Sequence, residues 1–233
     1  MSTSNDYYSI RGITYLMPAF ILIMAGRVGT AALTVRSQGG IADETLFRSA
    51  GGVTLALQLI EYILGVACFV LLYRLAEVHG WIDAANTMFL CCMLSGVAVR
   101  VAEWIAYKLD PSGMAEVAFL VAGKVPLVFI GLAFAFFING MKEVYPKIKK
   151  KGGPGAKDFT RARGFWTLGI TLLILAELLL EIFILHLKFS EVVPVRIISF
   201  ILGFLFILCC IPFTLRIQNF CYEYYMFSYN QGR

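Results

Sequence analysis

From Ile197 to Leu215 the chain runs without a charge through "IISFILGFLFILCCIPFTL", and comparable apolar runs recur along its length. About 20 such residues in a helix cross the roughly 30 Å of hydrocarbon in a bilayer. Inside that layer every backbone N–H and C=O must find its partner within the protein, which leaves helices or a closed barrel as the spanning forms. Apolar runs of helix-spanning length therefore predict an all-α, polytopic membrane protein. The composition agrees: 59% of the 233 residues are hydrophobic, 15% are charged, and mean hydropathy is +0.77.

Reading for runs of spanning length gives a bundle of six transmembrane helices, expected at 13–34, 53–74, 87–108, 116–140, 165–187 and 195–216. The first run follows the polar segment "MSTSNDYYSIRG". It is too long for a signal-peptide core and reads as a retained helix. No stretch between the runs is long enough for a separate soluble domain, so residues 1–233 read as a single membrane domain.

Orientation follows from the segment 141–164, "MKEVYPKIKKKGGPGAKDFTRARG", in which Lys142, Lys147, Lys149, Lys150, Lys151, Lys157, Arg161 and Arg163 outweigh Glu143 and Asp158. The positive-inside rule makes this basic loop cytoplasmic. Six spans then place the N- and C-termini in the cytoplasm and the loops 35–52, 109–115 and 188–194 outside. Glycines 39, 40, 51 and 52 bracket the first of these, which could close as a lid or serve as a plain connector. The tail Phe220–Tyr229 is aromatic and suits the headgroup zone. Either that tail or the Lys147–Arg163 loop offers a contact for a membrane or cytoplasmic protein partner.

Within the expected spans lie seven ionisable residues: Arg27, Glu61, Arg100, Glu103, Lys124, Glu177 and Glu181. On insertion scales each costs about 2.5–3.5 kcal/mol at a helix centre, so they are expected to face one another, water or a ligand. Gly96, Arg100, Glu103 and Tyr107 are read as one face of the third span, beside a ridge of Ala98, Ala102 and Ala106 suited to close packing. Thr54, Gln58, Glu61 and Tyr62 are read as a stripe of the second span, and Thr167, Thr171, Glu177 and Glu181 as a stripe of the fifth. In the assigned topology all seven charges fall near the midplane or in the outer half, above an apolar inner half.

Such a layer fits a pocket open to the exterior for a small polar or zwitterionic solute, with Phe119, Phe129, Tyr62 and Trp104 as apolar lining. Its expected binding or proton/cation residues are Glu61, Arg100, Glu103, Lys124, Glu177 and Glu181, with Arg27 as counter-charge. Two carboxylates one turn apart, Glu177 and Glu181, repel unless a proton or cation is shared between them. The competing reading is that the three cations simply neutralise the carboxylates as buried pairs that fix helix order.

Other chemistries find little support in the sequence. Cys68, Cys91, Cys92, Cys209 and Cys210 sit in apolar runs, with Cys221 just beyond, and no CxxC occurs, so they read as packing residues. His79 and His186 fall at opposite sides of the membrane, and no span carries metal-ligand spacing; no metal or other cofactor is expected. No catalytic motif accompanies the carboxylates, so a membrane enzyme is the least supported reading. Most of the net charge of +5 sits in the basic segment beside the membrane, so no nucleic acid partner is expected; the partner is the lipid bilayer.

Overall fold

A computed structural model of the chain describes residues 80–109, 121–148, 153–186 and 189–231, together with the single positions 60, 63, 66, 67, 70 and 118. Four helices result: α1 Gly80–Leu109, α2 Val125–Ile148, α3 Ala156–His186 and α4 Phe189–Gln231. There is no strand among the described residues. Each of the four contains a segment long and apolar enough to cross a membrane: Gly80–Val99, Val125–Ile148, Ala156–Leu179 and Ile197–Phe227. The expected spans 13–34 and 53–74 and the loop 35–52 lie outside the described residues, apart from helical positions 60, 63, 66, 67 and 70 in the second span.

Contacts between the helices fix their directions. Gly140 near the end of α2 meets Ile82 at the start of α1, and Gly131 meets Ile170 of α3. Gly169 of α3 lies against Phe206 and Cys209 of α4. Successive helices are therefore antiparallel, and α2 runs parallel to α4, as Phe134 beside Phe213 and Tyr145 beside Phe220 require. The approach at Gly140 and Gly131 is closer than any other side chain allows, since an added Cβ falls 2.7 Å from Ile82 Cγ1 or 2.9 Å from Ile170 Cγ2. Small residues at such crossings let helix backbones come together in lipid, where no hydrophobic force does so.

The core is organised on α2, which packs against all three other helices. Its buried Leu127, Ile130, Phe134, Phe137, Ile138, Met141, Tyr145 and Ile148 recur every three or four residues, the repeat of an α-helix. Phe134 is the hub. Its ring meets Phe89 of α1 at 4.8 Å, Trp166 of α3 at 5.4 Å and Phe213 of α4 at 5.8 Å, all edge-to-face, while Trp166 and Phe213 stack at 4.3 Å. These are the favoured geometries for ring quadrupoles. The indole N–H of Trp166 donates to the Gly131 carbonyl oxygen at 2.9 Å, so the one polar atom of a wholly buried ring is satisfied.

Outside this core, large apolar side chains face away from the protein: Leu94 and Val97 of α1, Leu132 of α2, Phe165 and Leu168 of α3, and Phe200, Phe204 and Ile211 of α4. A water-soluble monomer rarely exposes apolar surface on every helix. With the length of the four helices, it marks an integral membrane protein whose outward faces meet lipid.

Helix ends differ from the expected spans: α1 starts at Gly80 instead of 87, α2 at Val125 instead of 116, and α4 at Phe189, so that most of the expected exterior loop 188–194 is helical. The segment 141–164, expected as a loop, is largely helical, because α2 continues to Ile148 and α3 begins at Ala156. Loss of hydropathy marks where lipid ends, and charged side chains do not by themselves end a helix. Between α2 and α3, Gly153, Pro154 and Gly155 are not helical. At the start of α3, Asp158 reaches back to accept the Gly155 N–H at 2.8 Å, half of a capping box. Likewise α4, expected to end at 216, runs for 43 residues, about 64 Å, and takes the aromatic segment 220–229 with it.

Candidate functional site

The ladder of α2 is interrupted at its start. Residues 121 and 122 are helical, 123 and 124 form a turn, and α2 follows from Val125. Pro126 has no N–H to offer the turn before it, and Gly123 accepts a bend at little steric cost. Lys124 thereby becomes the residue that opens α2, with its carbonyl oxygen accepting the Val128 N–H at 3.2 Å. Its sequence context places it inside a continuous 116–140 span; the break puts it instead at a helix N-terminus, where a positive charge is disfavoured by the helix dipole.

That cost is offset by Glu177 of α3. Lys124 Nζ donates to Glu177 Oε2 at 2.9 Å, and the two residues are only 7% and 3% exposed. The carboxylate neutralises the ammonium and also sets a negative charge close to the positive end of α2. Removing both charges from water is expensive, and only close, well-directed pairing keeps that expense bearable. The pair stands about 21 Å along α3 from Arg163. It is thus at the end of the bundle opposite the α2–α3 connection, on either side of which α2 carries Lys147 and α3 carries Lys157, Arg161 and Arg163.

The other expected site residues are placed as follows. Arg100 and Glu103 lie on α1 and Glu181 on α3, with side chains outside the described residues; Arg27 and Glu61 lie outside them altogether. Of the expected apolar lining, Phe129 is half-buried against the core, whereas Phe119, Tyr62 and the Trp104 side chain lie outside the described residues. Two expected faces are corrected. Thr167 and Thr171 are exposed and donate to the Arg163 and Thr167 carbonyls, so they do not share the buried face of Glu177. Ten residues from Thr167 to Glu177 amount to nearly three turns at 100° each, which leaves the two well out of line. The alanine ridge is likewise turned outward at Ala98 and Ala102, while Gly96 is the buried position.

Ser199 of α4 is a residue that charge-based reading passes over. The antiparallel register of α3 and α4, set by Gly169 against Phe206 and Cys209, brings Ser199 to the height of Glu177 within one turn. The residue is wholly buried, and its hydroxyl has no hydrogen-bond partner among the described residues. Other helical hydroxyls behave differently: Thr87, Ser95, Thr160, Thr167, Thr171 and Thr214 each donate to a carbonyl oxygen three or four residues back. That is the default for Ser and Thr in helices, since it satisfies the hydroxyl at no cost in partners. Asn86 Oδ1, Tyr145 OH and Glu223 Oε2 share the lack of a partner, but they lie toward the opposite, basic end.

At that basic end the polar contacts tie neighbouring helices together. Trp81 Nε1 donates to Glu143 Oε1 at 2.9 Å, Arg163 Nη1 donates to Asn139 Oδ1 at 2.9 Å, and Arg216 lies 4.0 Å from Asp158. At the other end an ammonium, a carboxylate and a hydroxyl lie at about one height of three different helices. No protein-family model matches the chain, and no curated protein or solved structure is significantly similar to it.

Proposed function

We propose that the chain is a single membrane domain of six transmembrane helices with both termini in the cytoplasm, and that it binds a small zwitterionic or polar solute in the outer half of the bundle. Binding serves transport, by this protein alone or with a partner. The observation that carries the reading is the buried Lys124–Glu177 pair with, at its height, the Ser199 hydroxyl, which has no hydrogen-bond partner among the described residues. A zwitterion can replace each half of the pair with its own opposite charge, carboxylate to Lys124 and ammonium to Glu177, so that no buried charge is left alone at any stage. A singly charged solute replaces only one half of the pair, and breaking a buried pair costs about 3–5 kcal/mol. Glu61, Arg100, Glu103 and Glu181 complete the charged layer in this reading, and Arg27 balances it.

A second reading is favoured by the 2.9 Å contact itself: a sensor or assembly subunit in which the same charges are structural pairs. One variant separates the two. Lys124→Glu combined with Glu177→Lys keeps a buried pair but reverses it. The purified protein and this variant are screened by thermal shift against a panel of amino acids and betaines. We expect at least one zwitterion to stabilise the natural protein, by about 2.7 kcal/mol at a hundred times its Kd, and to leave the reversed variant unmoved. A panel without effect, or a reversed variant that responds equally, decides for the structural role.

A further inference from the structure

One stripe of α3 combines two surfaces that are separate elsewhere. Lys157, Arg161, Phe165 and Leu168 follow one another at spacings of four, four and three residues and so lie above one another on the helix. All four are exposed. Phe165 and Leu168 belong to the apolar surface that faces lipid. Arg161 and Lys157 stand about 6 and 12 Å beyond Phe165, against a headgroup zone that occupies about 5–8 Å on each side of the hydrocarbon. Between them Gly164 is exposed and open, with nothing within 4 Å of where a Cβ would be. The nearest acid on the helix is committed elsewhere: Asp158 accepts the Gly155 N–H and faces Arg216.

We propose that this stripe is a binding site for an anionic phospholipid of the leaflet at the basic end. The phosphate lies between Arg161 and Lys157, the glycerol region passes the notch at Gly164, and an acyl chain runs along Phe165 and Leu168. Guanidinium recognises phosphate through paired N–H donors, and the lysine adds a second charge one turn further along the helix. The site rests on the membrane setting of α3 and is independent of any solute at Lys124 and Glu177.

The test uses the full chain purified in an uncharged detergent and titrated with dioctanoyl phosphatidylglycerol or dioctanoyl phosphatidylcholine while its melting temperature is followed. Phosphatidylglycerol raises the melting temperature of the natural protein and phosphatidylcholine does not. Lys157→Gln with Arg161→Gln weakens the apparent affinity about thirtyfold, from the loss of two surface cations. Gly164→Leu, which keeps both cations and fills the notch, weakens it as well, and serves by itself if the double variant does not fold. Equal responses to the two lipids, natural affinity in Gly164→Leu or in a folded double variant, or an equal shift with inorganic phosphate each overturn the proposal.

Discussion

Lys124 Nζ and Glu177 Oε2 lie 2.9 Å apart in the interior of the bundle, one at the opening of α2 and the other two-thirds of the way along α3. Both groups are nearly closed off from solvent. The pair therefore has an asymmetry that can be measured. Glu177→Leu or Lys124→Met alone removes the 2.9 Å contact from the buried charge that remains and is expected to cost about 3–5 kcal/mol, whereas Lys124→Met with Glu177→Leu together recovers most of that loss. Reversible unfolding in detergent, arranged as a double-mutant cycle, reads the difference. Additive losses in the double variant contradict the pairing.

The α1–α2 crossing is set by a single missing methyl group. At Gly140 an added Cβ lands 2.7 Å from Ile82 Cγ1, so Gly140→Ala forces either the isoleucine or the helix to move. Overpacking of this kind costs about 1–3 kcal/mol. Ile82→Ala removes the opposing carbon, and the double variant is expected to be more stable than the sum of the two single losses. Melting temperatures of the four proteins in the cycle check this.

Trp166 has two jobs that substitution can divide. Its ring stacks on Phe213 and meets Phe134, and its N–H is bonded to the Gly131 carbonyl oxygen. Trp166→Phe keeps an aromatic ring but removes the donor and some volume, so a loss of about 1 kcal/mol is expected from the hydrogen bond together with a packing term. Trp166→Ala removes the central ring and is expected to cost about 3–5 kcal/mol. Near-equal stability of the two variants places the stabilisation in the hydrogen bond instead of the ring.

The helical class and the segments around α1 to α4 are legible in the amino-acid sequence from run length alone, because hydrocarbon thickness fixes how many apolar residues a span needs. Helix ends are not legible in the same way: between Gly140 and Ile148 the side chains become polar while the backbone goes on bonding to itself. At the site, the presence of Lys124 and Glu177 in apolar surroundings is plain from charge. Buried pairing of such charges is one of the two readings the sequence allows; the place of Lys124 at a helix end is not legible, because it comes with the break before Pro126. Ser199 is silent, since a serine in an apolar helix ordinarily bonds to its own backbone and gives no sign of doing otherwise. Thr167 and Thr171 mislead because polarity does not fix direction, and helical geometry turns both away from Glu177.

Asp158 allows a last distinction, between a cap and an ion pair. Its Oδ2 accepts the Gly155 N–H at 2.8 Å, while its Oδ1 is 4.0 Å from Arg216 and both side chains are about one-third exposed. An exposed ion pair at that distance contributes between nothing and about 1 kcal/mol. A carboxylate that satisfies one of the orphan N–H groups at a helix start is worth about 1 kcal/mol by comparison with Ala in related caps. Asp158→Asn retains an oxygen acceptor and loses the charge; Asp158→Ala loses both. If capping dominates, Asp158→Asn stays within about 0.5 kcal/mol of the natural protein and Asp158→Ala falls by about 1 kcal/mol. If the contact with Arg216 dominates, the two variants fall equally, and raising the salt concentration narrows their distance from the natural protein.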